Sequence, residues 1–194
     1  MKTTLFNPFK KYTEYQLVFI GLITAGLGIL AASYTNTHFD GVLDTHFAND
    51  VSLITACIES LFNLLSIVVV FFILGKFINS KTRLIDIVNL ALIVKIPAYF
   101  LLPLNINNWI HTKTFHLLEA FGNPTKINFS NTDIFILIGV GAASLVVLIW
   151  FFVLLYNGFK IAVNLKTTKH KILFVAGIIL AEITSKTLIN QIVL

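Results

Sequence analysis

Four ionisable residues interrupt otherwise apolar stretches of the chain: Glu59, Lys95, Glu182 and Lys186. A charge at membrane depth is costly and faces a bundle interior or a wet cavity. Helical rise is about 1.5 Å per residue, so depths can be compared along the sequence. Lys95 lies eleven residues in from Leu84 and Glu182 ten residues in from Ile172, both counted from inner ends. Lys186 lies seven residues short of Val193 and Glu59 six residues past Leu53, both counted from outer ends. Glu182 and Lys186 are also four apart, in the favourable order on one helical face. This predicts a ladder that joins Lys95 to Glu182, and Glu182 or Glu59 to Lys186. The preferred reading is a set of charge pairs that fixes helix register. The functional alternative is a proton or ion path through the bundle.

A second group occupies the segment HFDGVLDTHFAND, where His38, Asp40, Asp44 and His46 form a symmetric pattern. Imidazole and carboxylate are suitable ligands for a divalent transition metal. Phe39, Val42, Leu43 and Phe47, however, share one helical face, which predicts a short helix lying on the membrane. In such a helix Asp40 and Asp44 are neighbours while His38 and His46 point elsewhere. An acidic outer loop resting on lipid is therefore preferred to a metal site. His111 and His116 lack helical metal-ligand spacing, and His170 belongs to the basic segment KTTKHK. Glycine-rich phosphate loops, paired-cysteine metal patterns and nucleophile elbows are missing. No cofactor and no enzymatic activity are expected. The single cysteine, Cys57, excludes an intrachain disulfide.

The elements that must position these residues are membrane helices. Hydrophobic residues make up 57% and charged residues 12% of the chain, against about 25% charge in soluble domains. Mean hydropathy is +0.87. A span needs about 20 mostly apolar residues, and five such segments occur at 17–35, 53–74, 84–104, 134–156 and 172–193. The expected fold is all-α, a polytopic bundle of five transmembrane helices. Residues 1–16 form a cytosolic interfacial lead-in and 17–194 a single domain. The first span exceeds the apolar core of a signal peptide, so cleavage is not expected.

Lys2, Lys10, Lys11, Lys76, Lys81, Arg83, Lys160, Lys166, Lys169 and Lys171 fall on alternate connections, with only Lys113 and Lys126 opposite. Basic residues stay cytoplasmic, which places the N-terminus inside and the C-terminus outside. The net charge of +5 then attracts anionic headgroups at the inner face. Nucleic acid is not an expected partner.

In the lead-in, Asn7 and Pro8 suit the start of an interfacial helix, with Phe9, Tyr12 and Tyr15 at headgroup level. In the third connection, Trp109 marks the outer interface, and Phe115, Leu118 and Phe121 are placed to cover helix ends. Asn128, Phe129 and Ser130 form a glycosylation sequon that matters only in a eukaryotic host. Pro97 predicts a helix kink beside Lys95, and Asp86 an end cap or dipole partner. Gly21, Ala25, Gly28 and Ala32 form one small-residue face, and Gly139, Gly141, Ala142, Ala143 and Ser144 a second. Such faces let helices approach closely, within a bundle or between protomers.

Three segments carry a family resemblance: the lead-in NPFKKYTEYQ, the turn and helix NSKTRLIDIVNLALIVKIPAYFLLPL, and WFFVLLYNGFKIAVNLKTTKHKILFVAGIIL near the end. Together they resemble the Yip family, named for Ypt/Rab-interacting proteins, in its short prokaryotic-type form. The resemblance implies a five-helix bundle with a cytosolic N-terminus. Eukaryotic members act in vesicle trafficking and associate with Rab-type GTPases and with each other. About sixteen residues precede the first span here, without their long cytosolic region, so a Rab-type GTPase is not an expected partner. A homo-oligomer or another membrane protein is. The lysine-heavy basic set fits an AT-rich bacterial genome and hence a bacterial cytoplasmic membrane. The leading expectation is a non-enzymatic scaffold or membrane-organising protein of the Yip type. The alternative is a small transporter or channel component that uses Glu59, Lys95, Glu182 and Lys186.

Overall fold

A computed structural model describes residues 2–122 and 130–192. The chain is a helical bundle with one small hairpin. Its elements are α1 (Lys2–Phe6), α2 (Glu14–Tyr34), β1 (Thr37–His38), β2 (His46–Phe47), α3 (Leu53–Ile78), α4 (Leu84–Val94), α5 (Ile96–Tyr99), α6 (Trp109–Gly122), α7 (Asn131–Val163) and α8 (Thr168–Ile192). Among the described residues, α2, α3, α7 and α8 are each long and apolar enough to cross a membrane. A fifth crossing is counted only if the pair Leu84–Tyr99 and Leu102–Leu117, bent by 52°, is one span.

Local chemistry sets the helix starts. Thr13 and Gln16 form a capping box at α2, and Ser130 and Asp133 form another at α7. Each satisfies two amide donors that a helix N-terminus leaves unpaired. Ser52 caps α3 by accepting from the Thr55 amide at 3.0 Å. Asn164 ends α7 in the left-handed conformation, φ 55°, a geometry that asparagine tolerates.

The core lies around α4. Ile87, Leu90, Ala91 and Val94 are fully buried among Ile67 and Phe71 of α3, Leu155 and Phe159 of α7, and Phe174 of α8. Phe71, Phe159 and Phe174 pack ring against ring at centroid distances of 5.1 to 5.8 Å. The small-residue face of α2 is used inside the bundle. A methyl added at Gly21 would meet Leu92 Cβ at 2.5 Å, and one at Gly28 would strike the Tyr99 ring. By contrast, Gly139 and Gly141 on α7 face open space.

Several expectations are corrected. The helix of the lead-in is Lys2–Phe6, before Asn7; Asn7 precedes the 3-10 turn Pro8–Lys10 but makes no capping bond. The lead-in is also docked on α7. Trp150 Nε1 donates to the Leu5 carbonyl and Asn157 Nδ2 to the Phe6 carbonyl, both at 2.8 Å. The fourth apolar segment extends at both ends, to 33 residues. The third is interrupted. Its helix stops at Val94, restarts at Ile96, and bends sharply only after Tyr99. Pro97 sits in the first turn of the restarted piece, where a missing amide hydrogen is harmless. Asp86 does stand in the first turn of α4, the place of a dipole partner; it binds Arg83 at 2.6 Å, and Arg83 also reaches Glu14 at 2.7 Å. Asn128 and Phe129 of the sequon, Lys126, and the side chains of Leu118 and Phe121 lie outside the described residues.

The α2 glycines yield a paired prediction. Gly28→Ala should lower stability by about 1–3 kcal/mol through overpacking against Tyr99. Gly26→Ala, which meets open space, should be neutral or stabilising by up to about 1 kcal/mol through helix propensity. Reversible unfolding in detergent checks both values.

Candidate functional site

The segment expected to lie on the membrane as a helix is instead an antiparallel hairpin folded into one end of the bundle. Thr37 pairs with Phe47 and His38 with His46. Phe39 and Val42 are buried, Phe39 beside Ala32, Ala56 and Leu102 and Val42 within the main core. Of the four apolar residues assigned to one helical face, Phe39 and Val42 are therefore buried, Leu43 packs partly buried against the main core, and Phe47 is half-buried on β2. The overriding cause is tertiary: the bundle supplies polar partners for a non-helical backbone at depth, the condition under which such backbone is tolerated in a membrane protein.

Those partners are the intramembrane ionisable residues. Glu59 on α3 is fully buried. Its Oε2 accepts the Phe39 amide at 2.8 Å and its Oε1 meets His38 Nδ1 at 2.5 Å. One turn along, Asn63 donates to the Phe39 carbonyl at 2.7 Å, and its own oxygen accepts from Ser185 Oγ at 2.5 Å. On α8, Glu182 Oε2 accepts the Leu43 amide at 2.8 Å. Lys95 Nζ donates to the Val42 carbonyl at 3.1 Å and lies 5.3 Å from the centre of the Phe39 ring. Lys186 Nζ bridges Asp44 at 2.8 Å and Glu182 at 3.2 Å. Gly41 permits this approach: a methyl there would collide with the Glu182 carboxylate.

The structure thus brings Glu182 and Lys186 together. Lys95 and Glu182 interact through charge without a direct ion pair. Glu59 is paired with His38 rather than Lys186. Lys95 reaches a carbonyl of the hairpin, not one freed in its own helix. Asn63 and Ser185 are participants that the charge pattern missed; their signal was polarity inside apolar spans.

At the hairpin mouth, His38 and His46 stack at 5.0 Å, because cross-strand partners share a face. Asp40, two residues past the end of β1, bonds His46 Nδ1. That bond holds the His46 imidazole more basic than an ordinary histidine, with partial burial opposing. His38, Asp40, Asp44, His46, Glu59 and Lys186 line a cleft of about 370 Å³. Ligand atoms of His38, Asp40 and Glu59 all lie within 4.8 Å of one another.

Long apolar helices around a polar, hairpin-filled centre define an integral membrane protein of the helical-bundle class. The chain belongs to the Yip1 domain family, whose model matches residues 12–185. The match takes in the hairpin, Glu59, Lys95 and Glu182, and stops one residue before Lys186. No curated protein and no solved structure matches the chain.

A stability cycle tests the role of the buried charges. Lys95→Met leaves the Val42 carbonyl unpaired and should cost about 1–3 kcal/mol. Glu182→Gln weakens the acceptor for Leu43 and Lys186 and should cost a similar amount. The double variant should be less destabilised than the sum, since each change relieves a charge that the other strands. Additive losses would show that the two groups act separately.

Proposed function

We propose that this protein is a non-enzymatic membrane scaffold or organising component of the Yip type, in a bacterial cytoplasmic membrane. In this reading five segments cross the bilayer, with the N-terminus inside and the C-terminus outside. The observation that carries the proposal is the use made of the intramembrane charges. Glu59, Lys95, Glu182 and Lys186 each hold the hairpin, a structural task that accounts for their cost in the membrane.

The topology draws support from the way the connections cluster. Asn36 bonds Asn108, and His111 bonds the Phe47 carbonyl, which groups the hairpin with the start of α6. At the other end, Arg83 bonds Glu14 and Asn79 bonds the Val163 carbonyl. The basic connections thereby share one end of the bundle, suited to anionic headgroups. The working surface we favour is α7, whose Phe135, Ile138, Leu145, Val146 and Ile149 point away from the bundle. Its occupants are lipid, a second copy of the chain, or another membrane protein.

The alternative, a small transporter or channel component, rests on the same residues. Photocrosslinkers placed at Ile138 and Ile149 should capture a second copy or another membrane protein, while liposomes containing the protein pass no more protons or cations than empty ones. Flux that Glu182→Gln abolishes would instead establish transport. Topology has its own test. In a Cys57→Ala background, Thr45→Cys should react with impermeant maleimide in intact cells and Ser80→Cys only after lysis. The reverse pattern would invert the orientation.

A further inference from the structure

We propose that His38, Asp40 and Glu59 bind a divalent transition-metal ion of the Zn²⁺ type, which fastens the hairpin to α3. The three side chains come from two parts of the chain, the hairpin segment and α3. His38 ends β1, Asp40 follows two residues on, and both line the cleft at the hairpin mouth. The buried anchor bonds to the Phe39 amide and carbonyl fix the hairpin against α3. Glu59 projects from α3 with one carboxylate oxygen on the Phe39 amide and the other on His38. The ligand atoms lie within 4.8 Å of one another. Around a tetrahedral zinc they would stand roughly 3.3 Å apart, from metal–ligand bonds of about 2.0–2.2 Å. Movement on the order of an ångström by side chains at the mouth of an open cleft suffices.

Charge points the same way. Among the described residues, the carboxylates of Asp40, Asp44, Glu59 and Glu182 around the hairpin are met by two ammonium groups, those of Lys95 and Lys186. Asp44 and Glu182 are matched by Lys186 and Lys95. Asp40 and Glu59 are left with imidazoles, and a bound dication balances them. In the metal-free arrangement a hydrogen bond joins His38 Nδ1 to Glu59. On binding, the Nδ1 lone pair bonds the cation, the Nδ1 proton leaves to solvent, and a neutral ring takes a proton back at Nε2. His46 stays on Asp40 and orients it, as hydrogen-bond partners of metal-bound carboxylates do. An imidazole and two carboxylates favour zinc or manganese over calcium, which prefers an all-oxygen shell. A coordination position remains open toward the cleft.

The test uses full-length, tag-free protein in detergent, stripped with chelator and titrated with ZnCl₂ by calorimetry, and with CaCl₂ as a comparison. Zinc should bind at one equivalent per chain with micromolar or tighter affinity and raise the melting temperature, whereas calcium should do neither. His38→Asn and Asp40→Asn, at the accessible mouth, should weaken zinc at least tenfold and remove the thermal shift. His46→Gln should weaken it by about tenfold, the effect of losing an orienting partner. Glu59→Gln should also abolish binding; if that variant fails to fold, the two hairpin variants carry the test. Zinc binding unchanged in both His38→Asn and Asp40→Asn, or absent at tens of micromolar, would overturn the proposal.

Discussion

The structure depends on one requirement: a loop carried into an apolar bundle brings its peptide groups with it, and each must find a partner there. Helices satisfy their own amides, but a hairpin of this size leaves several unpaired. Here the Phe39 and Leu43 amides are taken by carboxylates, and the Phe39 and Val42 carbonyls by Asn63 and Lys95. Hydrogen bonds to charged groups are worth about 1.5–3 kcal/mol each, more than neutral partners would give. The hairpin in turn offers dipoles and ion partners to charges that would otherwise be stranded. Neither component is stable at this depth without the other.

That mutual dependence organises the helices. Glu59 and Asn63 come from α3, Glu182 and Ser185 from α8, and these two helices run along each other. Lys95 comes from the break between α4 and α5, the most enclosed part of the chain. Lys95 keeps a right-handed helical backbone at that junction, φ -78° and ψ -18°, and its ammonium group reaches the Val42 carbonyl. The glycines of α2 and Gly41 then set how closely α2 and the hairpin can approach their neighbours.

Much of this was legible in the sequence, for identifiable reasons. Length and apolarity mark the long helices directly. The four-residue spacing of Glu182 and Lys186 locates an ion pair, because residues so spaced share a helical face, whereas the depth matches of Lys95 with Glu182 and of Glu59 with Lys186 give no direct pair. The hairpin was misread because Phe39, Val42, Leu43 and Phe47 satisfy a helical period as well as a folded-back one. The Asp40–Gly41 dipeptide and the mirror pattern of His38 and His46 were the available signals for a turn. Partner choice is less accessible. Depth alone cannot say that Glu59 takes His38 and the Phe39 amide in preference to Lys186, since this depends on a loop whose own position the charges decide. The bend after Tyr99 also escaped, because attention falls on Pro97 while the reorientation comes some residues later.

The interrupted third segment has a consequence for the surrounding lipid. Leu84–Tyr99 runs before the 52° bend and at about 1.5 Å per residue reaches only about 24 Å, short of a hydrocarbon layer of about 30 Å. A short span ordinarily thins the bilayer around it. Here that segment is enclosed: Ile87 and Leu90 to Val94 are buried, and the exposed apolar surface comes largely from the longer α2, α3, α7 and α8. In the five-crossing reading proposed above, the short element therefore sits inside the bundle, where its length imposes no thinning on the bilayer. The fit to membranes of different thickness is then set by the four long helices around it.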